Sequence, residues 1–420
     1  MRKAGSRGCS EAAARPPGGP RAALAEAQSL LREGMARHGA GEFDRAARFY
    51  ARALRLVPEE PNALNLSGVL ARQQGDAARA AALTARALAL RPDSPVFLAS
   101  HGASLAELGR AEEAVPLLRR ALAVRPGDAV SHRNLGQALL ALGHVAEALV
   151  PLREALRLAP EAETHLALAH ALHEAGDGEG AGREARAAIA EAPPELAEQA
   201  RFLLAALGED PAPDRAPAAY VRELFDRYAP RFDAHLVEEL QYRTPDALAA
   251  LLRQAGVAAD GSHAVLDLGC GTGLSGRALK PFAWRLEGVD LSPRMLEQAG
   301  RTGLYDALHE ADLLGFLPGQ TRAFGLVAAA DVLNYLGDLR PALSGIAGAL
   351  SEGGVAGFSL ELGAVAPYAL GEGMRYRHHP DHALALLAEA GLRPMARQEA
   401  VLRREKGEPV AGLLLVAGRA

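Results

Sequence analysis

A repeat with a period of about 34 residues fills the first half of the chain and constrains its fold more than any other feature. The segment 41–58 recurs, each time with a glycine near its start and a proline at its end. Successive closing prolines are 34, 34, 34 and 33 residues apart: Pro58, Pro92, Pro126, Pro160 and Pro193. Glycine ends a helix readily and proline cannot continue one, so each unit predicts two helices. One helix pair cannot bury its apolar faces alone, and we therefore expect the units to stack into an all-α solenoid.

A small residue lies seven positions before each turn glycine, where the two helices of a unit must approach closely. These residues are Gly34, Gly68, Gly102, Gly136 and Ala169. Period, glycines, alanines and prolines together resemble the tetratricopeptide repeat family over about residues 24–194. We expect an array over 23–208, with a helix at 195–207 capping its end.

The resemblance to tetratricopeptide repeats implies a concave groove for a peptide or a partner protein. In such families four positions of each first helix line the groove. Here they are Asn62, Asn65, Val69 and Arg72, then Val96, Ala99, Ala103 and Ala106, then Val130, Arg133, Gln137 and Leu140. The repeated Lys and Asn that would clamp a C-terminal carboxylate are absent, which argues against binding of chaperone tails. A scaffold that dimerises or orients the rest of the chain is the alternative.

The length and charge of the chain narrow the remaining possibilities. With 420 residues it exceeds one ordinary core, and its net charge of −5 favours neither nucleic acid nor an anionic membrane as a partner. Two cysteines, Cys9 and Cys270, allow at most one disulfide and no structural zinc site. We expect a cytoplasmic protein without a membrane span, whose polar residues 1–22 form a disordered tail.

A break in composition separates the repeats from a second region. Residues 209–217 are rich in Pro and Asp and predict a linker, so that 218–420 forms a separate domain. Apolar residues at helical spacing then predict two amphipathic helices, interrupted at Pro230.

A glycine-rich turn carries the strongest chemical signal of the second region. An apolar stretch at 264–268 runs into Gly269, Gly271 and Gly273, which open a helix. Glycine permits positive φ angles and lets a ligand approach the backbone closely. Gly271, Gly273 and Gly276 would also fit a nicotinamide fingerprint, so the turn alone leaves the cofactor open.

Asp267, two residues before Gly269, distinguishes the two kinds of cofactor. With the glycines it resembles the Asp-x-Gly-x-Gly-x-Gly motif of class I S-adenosylmethionine-dependent methyltransferases. The resemblance implies that Asp267 orients the methionine ammonium group, a charge-assisted contact. The pyrophosphate of a nicotinamide cofactor would be repelled by an anion at this position.

Two further acids follow at the expected places. Asp290 ends a second strand 21 residues after Gly269, about the offset of a carboxylate that binds ribose hydroxyls, and Leu291 could flank the adenine. The resemblance to methyltransferases implies that Asp312 accepts from the adenine amine while the Leu313 amide donates to a ring nitrogen. Ala330, at the end of the fourth strand, completes the residues expected on the cofactor.

The segment before the glycine turn supports the same family. Residues 224–236 read Leu-Phe-Asp-x-Tyr-Ala-x-x-Phe-Asp-x-His-Leu and resemble the N-terminal signature of a bacterial group of predicted methyltransferases that carry tetratricopeptide repeats. The resemblance implies a lid over the cofactor, with Tyr228 and Phe232 as lid contacts. Strands predicted at 392–403 and 409–419, joined by a turn at 406–407, resemble the antiparallel closure of this fold. We expect a Rossmann-like α/β domain with a seven-stranded sheet, its last strand antiparallel, after the solenoid.

Methyl transfer is an in-line displacement that needs a base only when the acceptor must lose a proton. Candidates on the acceptor side are Asp331, Asn334 and Tyr335, after the fourth strand. Another is His378, in an Arg-Tyr-x-His segment that resembles one in the same methyltransferase group. His382 stands where that group has an aromatic residue. The histidines at 378–382 fit no zinc pattern, so hydrogen bonding to the substrate and an exposed loop remain the alternatives.

These observations predict an S-adenosylmethionine-dependent methyltransferase that acts on a small molecule and uses its repeats for protein interaction or oligomerisation. The alternative is a protein methyltransferase or an assembly factor whose client docks on the repeat groove. The residues after Asp331 lack the Pro-Pro-aromatic motif of enzymes that methylate nucleic-acid amines, which argues against DNA as the substrate.

Overall fold

The computed structural model describes residues 19–234, 236, 242–371, 373–405 and 407–419. The chain forms two compact units, Met1–Leu142 and Gly143–Ala420. The unit boundary therefore lies inside the repeat array and not at the predicted linker.

The described part of the first unit consists of helices. They are α1 (Gly19–Gly39), α2 (Phe43–Leu56), α3 (Pro61–Gln73), α4 (Ala77–Leu90), α5 (Pro95–Glu107), α6 (Ala111–Val124) and α7 (Ala129–Ala141). Helices α2, α4 and α6 each end two residues before the closing proline of their unit. At Gly68 an added Cβ would lie 2.7 Å from the Thr84 side chain, which explains the small residue. The predicted pairs of helices are confirmed.

The predicted N-terminal tail overlaps the first helix. Helix α1 begins at Gly19, so residues 19–22 are helical, because the alanine-rich run after Pro20 extends the helix towards the N-terminus. The remainder of the predicted tail lies outside the described residues.

The second unit begins with the last repeat helices. They are α8 (Val145–Leu158), α9 (Ala162–Glu174), α10 (Gly178–Glu191) and the cap α11 (Pro194–Ala206). Helix α12 (Ala218–Tyr228) follows, and a 3-10 turn at Ala229–Arg231 interrupts it at Pro230, as the sequence predicts. Helices α13 (Phe232–Ala234) and α14 (Thr244–Gln254) lead to the sheet, whereas His235 of the signature string lies outside the described residues.

The described strands form one nine-stranded sheet. They are β1 (His263–Leu268), β2 (Ala283–Asp290), β3 (Ala307–Glu310), β4 (Phe324–Ala329), β5 (Leu350–Leu362), β6 (Tyr368–Leu370), β7 (Tyr376–His378), β8 (Leu392–Glu405) and β9 (Glu408–Arg419). Strands β1 to β5 run parallel in the order β3-β2-β1-β4-β5, and β9 adds antiparallel to β5 with β8 outside it. This confirms the Rossmann-like sheet with an antiparallel last strand.

The prediction of seven strands is wrong, because the sheet of the described residues has nine strands. Strands β6 and β7 form a short antiparallel pair, and β7 runs parallel to the end of β5 through Glu361 and Leu362. Residues 376–378 are consequently a sheet segment and not the exposed loop considered above. Tyr376 and His378 are buried there, and this pair extends the sheet along β5 beyond Phe358, where the pairing with β4 ends.

Helices cover both faces of the sheet and explain the nearly continuous apolar runs of β1 and β4. The helices are α15 (Leu274–Leu279), α16 (Pro293–Thr302), α17 (Leu313–Phe316), α18 (Arg340–Ala349) and α19 (Pro380–Glu389). Leu266 and Val327 pack with α18 and α19 on one face, whereas the neighbouring Val265 and Leu326 pack with α14 and α15 on the other. Successive side chains point to opposite faces of a strand, so both layers bury alternate residues.

Residues 213–216 pack on the sheet domain instead of serving as a free linker. The Ala216 amide donates to the carbonyl of Tyr335 at 2.8 Å, and the Gly337 amide donates to the carbonyl of Asp214 at 2.8 Å. The Tyr376 hydroxyl donates to the Pro213 carbonyl at 2.6 Å. The prolines keep this segment extended, which leaves its backbone groups available to a neighbouring chain segment.

The last repeat helices share an apolar core with the sheet domain. The ring of Phe202 on α11 lies 5.3 Å from the ring of Tyr220 and 6.3 Å from that of Tyr376, measured between centroids. His170 on α9 stacks on Tyr220 at 5.9 Å. This shared core explains why α8 to α11 belong to the second compact unit.

None of the described helices combines the length and apolar character needed to cross a membrane.

Candidate functional site

A cavity of about 1740 Å³ opens at the carboxyl ends of the parallel strands. Open parallel sheets place their ligand sites at this edge. The structure brings together most of the residues predicted for the site. Those that line the cavity are Tyr228, Gly269, Gly271, Asp290, Leu291, Asp312, Leu313, Ala330, Asp331 and Tyr335.

The glycine turn follows β1 with positive φ angles of 66° at Gly269, 53° at Gly271 and 99° at Gly273. The amides of Gly269 and Cys270 donate to the Val289 carbonyl at 2.8 and 3.1 Å. A Cβ on Gly269 would lie 2.4 Å from the Val332 side chain, so the turn could not pack beside β4 with a larger residue. Gly273 is the N-cap of α15 and is not among the residues that line the cavity.

Asp267 lies near the end of β1, is fully buried and, like Gly273, is not among the residues that line the cavity. Its Oδ2 accepts hydrogen bonds from the Ser275 hydroxyl at 2.6 Å and the Tyr305 hydroxyl at 2.7 Å. Its Oδ1 is buried without a partner. Burial raises the pKa of Asp267 to about 7. Sequence reasoning missed Ser275 and Tyr305, because a hydroxyl 38 positions away from the carboxylate leaves no local pattern.

Asp290 holds the glycine turn against the end of β2. Its Oδ2 accepts from the Gly271 amide at 2.9 Å and its Oδ1 from the Ser292 amide at 2.8 Å. Burial raises the pKa of Asp290 to about 6 although these hydrogen bonds oppose the shift. Ser292 caps α16 and donates its hydroxyl to Asp226 of α12 at 2.5 Å, which ties α12 to the site.

Asp312 caps the short helix α17, where its Oδ1 accepts from the Leu314 amide at 2.9 Å. Its Oδ2 pairs with the guanidinium of Arg215. Arg215 comes from the segment that we predicted as a linker, and no motif in the sequence pointed to it.

Aromatic side chains of α12 and α13 cover the cavity. Tyr228 and Phe232 meet edge to face at 5.1 Å between ring centroids, and Phe225 meets Tyr335 in the same way at 5.5 Å. All four side chains line the cavity, and Phe225, Tyr228 and Phe232 come from the segment that the sequence predicts as a lid.

Asp331 and four other charged residues form a group that we call the arginine–carboxylate cluster: Asp331, Glu361, Arg375, Arg403 and Glu405. One Arg403 nitrogen donates to both oxygens of Asp331 at 2.8 and 3.0 Å, and Arg403 also pairs with Glu361 and Glu405. Arg375 donates to Glu361 at 2.8 Å and pairs with Glu405. Arg403 and Glu361 are each only 4% exposed. The cluster therefore neutralises charge that would otherwise be buried alone.

The three candidates for an acid or base differ in their surroundings. Asp331 adopts a positive φ of 61° and is bound by Arg403 and Asn334. Burial raises the pKa of Tyr335, which therefore keeps its proton. His378 is buried on β7, and burial lowers its pKa to about 4 although a backbone hydrogen bond with Leu336 opposes the shift. Asp331 and Tyr335 line the cavity, whereas His378 is not among the residues that do.

Within the described ranges, no group of three or more His, Cys, Asp or Glu side chains is placed to hold a metal ion. The one described cysteine, Cys270, is buried, and burial raises the pKa of its thiol.

Family models match both regions of the chain. A methyltransferase domain matches residues 265–354, and tetratricopeptide repeats match residues 31–95 and 96–161. The chain carries a methyltransferase domain behind tetratricopeptide repeats. The methyltransferase match runs from β1 into β5 and includes the glycine turn and the acids Asp267, Asp290, Asp312 and Asp331.

Proteins similar in sequence to this chain include methyltransferases. Human methyltransferase-like protein 27 is 45% identical over 85 residues, which are 20% of this chain and 34% of that protein. Malonyl-(acyl-carrier protein) O-methyltransferase of Enterobacter lignolyticus is 32% identical over 139 residues, 33% of this chain and 52% of that protein. The chain thus spans between a third and about half of the length of these relatives.

Solved structures resemble parts of the chain. A thermophilic tetratricopeptide-repeat protein of Thermus thermophilus is 25% identical with a TM-score of 0.36, over 41% of this chain and 94% of that chain. An S-adenosylmethionine-dependent methyltransferase of Mesorhizobium loti is 24% identical with a TM-score of 0.33, over 41% of this chain and 96% of that chain.

Proposed function

We propose that this chain is an S-adenosylmethionine-dependent methyltransferase of class I that acts on a small-molecule acceptor. The observation that carries the proposal is a row of acids, Asp267, Asp290 and Asp312, at the ends of three neighbouring strands around the glycine turn. A nucleoside linked to an amino acid carries an ammonium group, a ribose and a base, and each of these groups could bind one acid of the row.

The unpartnered Oδ1 of Asp267 supports a cationic ligand group. A buried carboxylate oxygen without a hydrogen bond is costly, and a ligand ammonium group at the glycine turn would compensate it. The same anion disfavours the pyrophosphate of a nicotinamide cofactor. Asp290 would hold the ribose hydroxyls, and Asp312 with the Leu313 amide would bind the adenine, since each carboxylate oxygen can accept more than one hydrogen bond.

The described side chains support catalysis by positioning. When bound, the cofactor supplies a methyl group already activated by a positive sulfur. Phe225, Tyr228 and Phe232 cover the cavity and limit the access of water. Arg403 binds both oxygens of Asp331, and Tyr335 keeps its proton. Asp331 and Tyr335 are therefore better suited to orient an acceptor than to remove a proton from it.

Calorimetry with the full chain tests the cofactor. We expect S-adenosylhomocysteine to bind and nicotinamide adenine dinucleotide not to bind. Asp290→Ala should weaken S-adenosylhomocysteine at least tenfold, whereas Asp246→Ala on α14, which does not line the cavity, should leave it unchanged. Binding of the dinucleotide without S-adenosylhomocysteine would overturn the proposal.

A second candidate is a protein methyltransferase or an assembly factor with a client on the repeats. Exposed apolar side chains at two groove positions favour it, Val96 at 42% and Val130 at 43% exposure. Isotopically labelled S-adenosylmethionine added to a cell extract would distinguish the two. We expect label in metabolites, unchanged in the double variant Val96→Glu with Val130→Glu. The second candidate would be favoured if label entered protein with the wild type and this labelling of protein were lost with the double variant.

A further inference from the structure

The cavity extends beyond the edge of the sheet to the last repeat helices. Its lining includes His170, His173 and Glu174 of α9, and Ala205, Ala206 and Leu207 at the end of α11. These residues belong to the repeat region, yet they share a cavity with the glycine turn and Asp331. We call Ala205, Ala206, Leu207 and His170 the repeat wall.

The repeat wall is held firmly against the methyltransferase domain. Ala206 and Phe202 belong to one buried cluster with Tyr220, Tyr335 and Tyr376. His170 stacks on Tyr220, and burial lowers the pKa of its ring to about 3, so it stays neutral. Because tightly packed interiors resist deformation, the wall keeps a fixed distance from the site.

The size of the cavity leaves room for a second molecule. Pockets for one small ligand usually measure roughly 300–1,000 Å³, and this one measures about 1740 Å³. A cofactor at the glycine turn would occupy the end near Asp267, Asp290 and Asp312. The space that remains lies between α12, the arginine–carboxylate cluster and the repeat wall.

We propose that the last tetratricopeptide repeat forms part of the acceptor pocket, and that the repeat wall holds the apolar body of the methyl acceptor. This inference rests on the proposed function. Ala205, Ala206 and Leu207 present aliphatic surface, and Val221 and Leu224 of α12 continue it along the cavity. Such surface gains free energy by covering apolar groups and cannot satisfy charged ones. The polar end of the acceptor then faces the arginine–carboxylate cluster and Tyr335.

A neutral fluorescent probe, N-phenyl-1-naphthylamine, tests the repeat wall in the full chain saturated with S-adenosylhomocysteine. Ala206→Phe fills the pocket, and Leu207→Glu puts a charge on the wall at a half-buried position that packs against the edge of the shared core. We expect both variants to bind the probe at least fivefold more weakly, with the affinity for S-adenosylhomocysteine unchanged within twofold. The matched controls are Arg201→Phe and Arg201→Glu at an exposed position of α11, which should bind like the wild type.

The probe should also inhibit transfer of label to the metabolite fraction that the wild type methylates. Unchanged probe affinity in Leu207→Glu, or bound probe without inhibition, overturns the role of the repeat wall while leaving the proposed function intact. Absence of S-adenosylhomocysteine binding in the wild type is a separate result that overturns the proposed function itself. Leu207→Glu keeps the test decisive if Ala206→Phe does not fold.

Discussion

Asp267 carries a buried carboxylate with one oxygen bound by two hydroxyl groups and the other left without a partner. Its raised pKa means that the folded chain without ligand binds a proton more tightly than the unfolded chain does. The stability contributed by this protonation is present at low pH and is lost as the pH rises from about 4 to about 7. A ligand cation beside the charged carboxylate would offset the stability that is lost on deprotonation. The affinity for such a ligand should therefore depend on pH.

We predict that the affinity for S-adenosylhomocysteine rises between pH 5.5 and pH 8. Asp290 and Asp267 lose their protons near pH 6 and pH 7, and only the charged forms attract the ligand fully. Calorimetry across this range measures the effect. In Asp267→Asn the rise near pH 7 should disappear. The affinity at pH 8 should fall about tenfold, because the variant loses one charge-assisted contact with the ligand.

Glu352→Gln, at an exposed position, is the matched control and should keep the wild-type pH profile. A pH-independent affinity in the wild type would contradict the role given to Asp267.

Local motifs made the acids and glycines of the site predictable, because each stands at a fixed offset from the end of a strand. Arg215 and Arg403 were not predictable in this way. They reach Asp312 and Asp331 across 97 and 72 positions of the chain, and a lone arginine in a linker or a strand carries no pattern of its own.

Strand β8 brings Arg403 into the arginine–carboxylate cluster and so connects the closing hairpin to β4 and β5. We predict that Arg403→Met lowers the free energy of unfolding by about 3–5 kcal/mol, because it leaves buried carboxylates without their partner. Urea denaturation measures the loss. Arg404→Met, at the next and exposed position, should change stability by less than about 0.5 kcal/mol.

A loss below about 1 kcal/mol in Arg403→Met would mean that water or neighbouring cations already compensate these carboxylates.

The pair β6 and β7 shows why the predicted number of strands was too low. Strands of three residues are too short to display an alternating pattern, and only their pairing to β5 makes them part of the sheet.

In the molecule as a whole, the compact units do not follow the composition of the chain. The Pro-rich segment at 209–217 predicted a boundary, whereas the second unit begins at Gly143. Composition reports local backbone preference, and aromatic contacts such as that between Phe202 and Tyr376 are visible only once the chain has folded.

We predict that Phe202→Ala destabilises the last repeats and the methyltransferase domain together, by about 3–5 kcal/mol for a buried aromatic ring. Hydrogen exchange should then accelerate in α9 to α11 and also in β7. Phe43→Ala, where the ring is 37% exposed, should leave both regions unchanged. Faster exchange confined to the repeats would contradict a shared core.

The hydrogen bonds of residues 213–216 to the loop after β4 have a consequence for recombination between genes. A segment whose carbonyls and amides are paired tolerates insertion or deletion no better than a strand does. Joining residues 209–420 to a foreign repeat array would remove Phe202 and one wall of the cavity, whereas a crossover before Gly143 keeps the whole second unit. Viable chimaeras should therefore inherit the last repeat along with the sheet domain.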